Sequence, residues 1–430
     1  MKSKIILLSL VLSIFYLGCK NVPTFEKDGG IRLVITISYS DFLKAIIAEG
    51  YEGQLQEVLT EIKEDQIKDF DGFVNSFRKV EEKKFPEIKL ATIFMKPEWG
   101  DKINFNSTNE EVLKVLKNEW EAMLLSTNSV IKIRLGNIQE IGVSTIKNEN
   151  GNQILVEVPG GKDPIRIQNL LTSIGELGFW ETYSNTEIFP YLNQINDYLG
   201  KAKFQNKAHE NSKNENDVSG LPDSSSTLTS QLENQKIYAA DSSASRFPLF
   251  SLLTSSDGLL ITGSAIGSVM IKDTAELSKL FQMDSVLHFL PHNCKLLFSK
   301  PIQLNDNTYC ELIALKGNRL NGPMINGSVI TNATALLKEN RNEISMKMNS
   351  EGARIWKRMT ADNVGRQIAI TVDGVVYVHP TVQSQIEGGN SNITGNFTRE
   401  EATDLALVLN SGKYPVKLNI LKTEVIEVKK

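Results

Sequence analysis

Residues 344–415 read ISMKMNSEGARIWKRMTADNVGRQIAITVDGVVYVHPTVQSQIEGGNSNITGNFTREEATDLALVLNSGKYP. Each element in this stretch carries its own punctuation. Ile344–Met348 alternates apolar and polar side chains, as a half-buried strand does. Glu351–Asn363 has helical composition, and Gly365 is placed to stop it. Arg366–Val372 and Val375–His379 are strand-like and flank Asp373-Gly374, a type I′ hairpin signal. Gly388-Gly389 and Gly395 mark a glycine loop. Thr398 followed by Glu401 is a capping box, Ala402, Leu405, Ala406 and Leu409 form the packed face of the helix it opens, and Gly412 ends it. Val416–Val428 supplies a last strand. The order is β-α-β-β-α-β, the split-βαβ or ferredoxin-like arrangement.

Upstream the same order recurs. Ile31–Ser38 is a buried strand by pattern. Asp41 to about Arg78 reads as helical, with Leu55, Val58, Leu59 and Ile62 at helical spacing. Ser107 or Thr108 caps a second helix whose stripe is Val112, Leu113, Leu116, Trp120, Met123 and Leu124. Ile138–Ile146 and Gln153–Val158 read as strands around a turn at 148–152. Asp163 caps a helix with Pro164 at its first position, and Phe179–Tyr183 closes the set. The expected fold is therefore α+β. Two ferredoxin-like βαββαβ halves, 25–187 (with a helical insertion at about 40–105) and 336–430, form a base. Residues 201–235 are polar, too poor in apolar groups to offset their ordering entropy, and read as a disordered linker. Residues 236–335 turn apolar again and read as an inserted α/β head domain.

Composition excludes several classes. The 430 residues are 41% hydrophobic and 23% charged with net charge −4, so no clustered basic excess marks a nucleic-acid surface. No phosphate-binding loop, Gly-x-Ser-x-Gly elbow, Cys-x-x-Cys or His-Glu-x-x-His occurs. Ser76-x-x-Lys79 and Ser144-x-x-Lys147 lack the companion motifs of a serine–lysine enzyme. His288, His292 and Cys294 would suit a metal on a helix, but Pro291 interrupts the segment. The chain is read as a non-enzyme, with no metal or cofactor.

The N-terminus reads as a targeting segment, residues 1–19. Lys2 and Lys4 precede the apolar run Ile5–Leu17, too short to span a bilayer, and Leu17-Gly18-Cys19 ends it like a bacterial lipobox. Cys19 is then the site of lipid attachment, holding the chain to a membrane. An exported compartment leaves Cys294 and Cys310 free to form a disulfide or to stay as two small buried thiols.

At Gly352-Ala353, Asn363–Ile370, Asp373-Gly374, Pro380, Gly388-Gly389, Ile393–Thr398, Glu401-Ala402 and Leu409–Gly412 the chain resembles the first periplasmic domain of SecD and SecDF, accessory subunits of the bacterial Sec translocase. Ile154–Gly160, Asp163-Pro164 and Gly178–Thr182 resemble the N-terminal half of that domain, and residues 106–113 and 248–316 look most like the Bacteroidetes form. The resemblance implies a base with a mobile head that binds unfolded preprotein beside SecYEG, SecF or a full-length SecDF. It also implies that Gly365, Arg366, Asp373, Gly374, Gly388, Gly389, Gly395 and Gly412 are structural signature positions. Two departures stand out. The family continues into a proton-conducting membrane domain, whereas nothing after Pro415 is apolar enough to cross a bilayer. The family's Arg-Ile-Asp-x-Phe-Gly-Val stretch reads Asn137–Val143 here, without its two charges. The expectation is a lipid-anchored export module on the periplasmic side of the inner or outer membrane, without its own motor. The alternative is an envelope lipoprotein with a structural or interaction role that has lost Sec function.

Overall fold

The computed structural model describes residues 23–136, 138, 141–142, 144–149, 151–214, 248–253, 263–304, 306–339 and 341–427. Two compact units emerge. One takes the chain up to Gly175 together with Thr403 onward, and the other is Glu176–Ala402.

The first unit is built on an antiparallel sheet of order β15-β1-β3-β2. Its strands are β1 (Gly30–Ile37), β2 (Thr145–Asn148), β3 (Gln153–Pro159) and β15 (Leu418–Ile426). Alternation along β1 places Ile31, Leu33, Ile35 and Ile37 on a fully buried face. The opposite face carries Arg32, which lies directly across from Glu157 on β3 and Glu424 on β15 and pairs with both, at 2.8 and 3.6 Å. Between β1 and β2 the chain forms a run of helices. These are α2 (Tyr39–Ile46), α3 (Glu52–Leu59), α4 (Phe70–Lys84), α5 (Leu90–Phe94) and α6 (Asn109–Gly136), after a single turn α1 (Phe25–Asp28). The helical stretch expected over 41–78 is thus three helices. Ser38 caps the first, and Asp69 caps the third by accepting from Gly72 N. Tyr39, Phe42, Phe70, Phe73 and Trp120 interlock in this lobe, with Phe70 and Trp120 stacked at 5.0 Å. Helix α7 (Pro164–Thr172) packs on β15. Its cap is the expected one: Asp163 Oδ1 accepts from Arg166 N at 2.9 Å.

The second unit contains β4 (Leu177–Thr182), helix α8 (Asn185–Asn214), β5 (Ala265–Met270), helices α9 (Thr274–Phe281) and α10 (Asp284–Leu287), and strands β6 (Cys294–Phe298), β7 (Ile302–Leu304), β8 (Asn307–Lys316), β9 (Ile325–Asn326), β10 (Ile330–Leu337) and β11 (Asn342–Met348). Helix α11 (Ser350–Asp362), β12 (Ile368–Val372), β13 (Val375–Val378) and β14 (Asn390–Phe397) follow, and helix α12 (Arg399–Ser411) leads out. Its main sheet runs β13-β12-β4-β8-β5, with β6 and β7 added to β8 and β9 to β4. A smaller sheet is β10-β11-β14. Helix α8 buries Ile188, Leu192, Ile195 and Leu199 with Val269, Leu277, Val286 and Leu312. Phe179 of β4 meets Trp356 of α11 edge-on at 5.2 Å.

This architecture corrects the expected pair of closed βαββαβ halves. Strand β4 does not close the first half: it pairs with β12, β8 and β9. Strand β15 pairs instead with β1, so the C-terminal strand completes the N-terminal sheet. The C-terminal half is likewise divided, because β11 and β12 lie in different sheets. Strands β8 and β9, which fall within the expected head at 236–335, share a sheet with β4 and β12. The polar stretch at 201–235 begins as helix, with α8 reaching Asn214, and its remainder lies outside the described residues. Gly388–Gly395 is mostly strand: β14 lies beside β11, with Ile393 opposite Ile344 and buried.

One buried guanidinium holds the first unit's helix ends. Arg134, on α6, is completely buried. Nη1 donates to the carbonyls of Leu170 (2.8 Å) and Ser173, Nη2 to those of Ile174 and Gly412, and Nε to Ser411 Oγ at 2.9 Å. The Tyr414 ring lies 4.2 Å from its carbon. Those carbonyls end α7 and α12, where no intrahelical donor remains. Replacing Arg134 by Met leaves several of them without a donor, at about 1–3 kcal/mol for each buried group. A loss of about 3 kcal/mol is expected in urea unfolding of R134M, and a loss below about 1 kcal/mol would contradict this role.

Candidate chain-binding groove

Helix α6 ends at Gly136, and β2 begins at Thr145. The sequence pattern predicts a strand from Ile138. Instead, the described residues 138, 141, 142 and 144 precede β2 and line a cavity. Gly142 explains part of this path. Its N donates to Pro159 O at 2.9 Å, and a Cβ there would lie 1.9 Å from Pro23 O, so only glycine fits. Leu135, Ile138, Ile141 and Ile146 line a cavity of about 220 Å³ together with Lys132, Gly136, Gly142 and Ser144. A second cavity of about 170 Å³ shares Ile138 and Ile141 and continues to Lys162, Arg166 and Ile167. The two isoleucines therefore form a wall common to both.

The lining is apolar and the rim charged. Arg166 is held in a two-point pair with Asp404, at 2.8 and 2.9 Å, while Asp163 caps α7. Ser144 Oγ is buried in the wall without a hydrogen-bond partner. Beside the cavity, β2 is the outermost strand of its sheet, and among the described residues its outer edge has no pairing strand. An open edge next to an apolar slot can accept an extended chain: the edge supplies backbone hydrogen bonds and the slot takes alternate side chains. Among the described residues, no group of three or more His, Cys, Asp or Glu side chains is placed to hold a metal ion.

The signature positions lie elsewhere, at turns and close approaches. Gly365 follows α11, Gly388-Gly389 precedes β14, Gly395 lies within β14 and Gly412 follows α12. Asp373 and Gly374 both have positive φ in the β12–β13 turn, as a type I′ turn requires, and Asp373 is tied to Glu176 by two hydrogen bonds of 2.8 and 3.0 Å. Arg366 reaches Glu187 at the start of α8, at 2.6 Å. Cys294 and Cys310 are free thiols. Cys294 pairs across to Lys316, six residues along β8 from Cys310, which puts the two sulfurs roughly 20 Å apart at about 3.4 Å per residue and rules out a bridge between them. Cys19, Asn137 and Gln139 lie outside the described residues. The turn at Pro291 separates His292 from the α10 helix, as its position in the sequence implies.

Sequence reasoning missed a pair in the second unit. His379, read as structural, lies with Nε2 2.9 Å from Glu311 Oε2, and its Nδ1 is buried without a partner. The hydrogen bond from His379 holds the Glu311 carboxyl below the usual range despite its burial. The two residues lie 68 positions apart in the chain and meet only across the fold, so no spacing rule would have found them.

Residues 314–416 match the family model described as the SecDF P1 head subdomain. That span takes in much of what the sequence reading assigned to the base. The chain is 29% identical over 409 residues to the protein translocase subunit SecD of Rhodothermus marinus, covering 93% of this chain and 62% of that protein. It is 34% identical over 113 residues to the protein translocase subunit SecDF of Thermus thermophilus, covering 26% of this chain and 15% of that protein. The chain thus spans about three-fifths of the length of the first relative and far less of the second. A crystal structure of SecDF in a super-membrane-facing form aligns with 97% of this chain and 33% of its own at 16% identity and a TM-score of 0.38, too distant to carry an argument. The similarity to SecD and SecDF lies in their periplasmic domain, and no helix among the described residues is long and apolar enough to cross a membrane.

The Glu311–His379 pair has a pH signature. A carboxyl with a depressed folded pKa contributes stability that is present above its ordinary value of 4.5 and is lost as pH falls through the folded value. The melting temperature of the wild type should therefore drop toward that of Glu311→Gln as pH falls from 6 to 3. Parallel curves for the two proteins would contradict the pairing.

Proposed function

We propose that this SecD-like chain is a protein-export accessory module that holds extended, unfolded preprotein on the periplasmic side of the membrane. The observation that carries the reading is the apolar cavity of Leu135, Ile138, Ile141 and Ile146 beside the open edge of β2. The similarity to translocase subunits supports the setting, and the edge and slot support the ligand class. Recognition by backbone hydrogen bonds and shallow apolar contacts is tolerant of sequence, as a holder of many clients requires. The Sec translocon, with SecF or a full-length SecDF, is the proposed partner. Cys19 is the proposed lipid attachment point, and the energy for movement is proposed to come from that partner and not from this chain.

A photo-crosslinking residue placed at Ile141 or Ile146 should capture an unfolded export substrate in preference to one placed at Leu421, which is exposed on the opposite edge strand β15. Ile141→Asp should weaken binding of an extended peptide about tenfold, the effect of removing about 1.4 kcal/mol of apolar contact. Equal capture at Leu421, or unchanged affinity in I141D, would overturn the assignment of the groove. For the anchor, incorporation of labelled palmitate that persists in Cys19→Ala would overturn the proposed attachment point.

A further inference from the structure

The helical lobe contains an ionisable group that the groove does not use. Glu81 lies in the last turn of α4 and is completely buried, and neither of its carboxylate oxygens has a hydrogen-bond partner. Burying an ionised carboxylate without a partner is among the most costly arrangements available to a protein, so such a group takes up a proton or forces a rearrangement.

Of the charged side chains on the packed elements, Lys79 and Lys83 of α4 are exposed, and the nearest cations are engaged with other acids. On α4 itself, Arg78 pairs with Glu82 and with Glu110 of α6, at 2.7 and 2.9 Å. Lys84 pairs with Glu61, beyond the end of α3, at 2.9 Å, and Lys117 of α6 pairs with Asp71 at 2.7 Å. On α3, Glu52 and Glu57 are acids, and α5 (LATIF) contributes no charge. Phe77, one turn before Glu81 on α4, belongs to the lobe's core with Val74, Leu90 and Phe94, all buried, and meets Phe94 edge-on at 6.0 Å. Apolar packing and acidic neighbours act in the same direction, against the charged form.

We propose that Glu81 makes this helical lobe a proton-dependent element, compact while the carboxyl is protonated and loosened when it ionises. This goes beyond the chain-holding function and does not depend on it. Burial, and to a lesser degree the charge of Glu82, raises the Glu81 carboxyl from 4.5 to about 7. The sign follows from proton binding. Between pH 4.5 and about 7 the folded state holds a proton that the unfolded state has lost, so stability is greatest at the acid end and falls as pH rises through about 7. The lobe would therefore stiffen in an acidified compartment and loosen at neutral pH and above.

The test compares the full chain with Glu81→Gln, which keeps the shape and removes the titration. Unfolding of both is followed in urea from pH 5 to pH 8, with hydrogen exchange of α3–α5 amides read in parallel. The folding constant of the wild type should fall relative to E81Q by roughly a hundredfold across that range. Protection of the lobe amides should fall in the wild type alone, after correction for the intrinsic exchange rate. Carbon-13 titration of the wild-type Glu81 carboxyl provides an independent reading that does not require the variant to fold. A carboxyl that titrates near 4.5 in the native protein would overturn the proposal, as would wild-type and E81Q stabilities that move in parallel with pH.

Discussion

Unit one depends on a buried positive charge that is satisfied by carbonyl oxygens. Arg134 can donate five hydrogen bonds from one planar group, and the ends of α7 and α12 present the acceptors. The residues it joins come from three distant parts of the chain: α6, the segment 170–174, and the segment 411–414. Tyr414 adds a ring against the guanidinium and donates its N–H to Ile174 O at 2.8 Å. The chain that leaves this knot runs directly into β15, whose position beside β1 completes the sheet. The same helix end supplies Lys132, Leu135 and Gly136 to the cavity wall, so the knot also fixes one side of the groove.

Two fully buried ionisable side chains of the first unit, Arg134 and Glu81, illustrate opposite solutions to one problem. Arg134 is removed from water and given donors' worth of acceptors in return, so its ionised form is the stable one. Glu81 is removed from water and given none, which makes its neutral form the stable one. The first is an unconditional structural tie. The second makes the helices around it respond to proton concentration, because the cost of burial appears only when the proton leaves.

Local chemistry was legible wherever a signal and its consequence lie within a few residues. Thr398 and Glu401 make the reciprocal capping hydrogen bonds, each of 3.1 Å, and Thr108 and Glu111 do the same at the head of α6. The Asp373-Gly374 hairpin turn and the Asp163-Pro164 helix start are where the sequence puts them. The groove was not legible: at 137–143 the sequence showed only a departure from a family pattern. Its shape was hidden, because the apolar residues that suggested a strand there instead turn toward α6 and α7 to form cavity walls.

By itself, then, the sequence determined many of the helices and strands and how several of them begin and end. Capping, turn formation and side-chain alternation are short-range effects that a few neighbouring residues settle. Only the tertiary structure decided the partners: that β15 returns to β1, that β4 leaves its own half for β12 and β8, and that Ile393 turns a glycine-rich stretch into a strand beside β11. A strand's alternation shows that one face is buried but gives no information about which edge it will meet. That choice depends on contacts between residues far apart in the chain, such as the carbonyls gathered by Arg134, which exist only once the chain has folded.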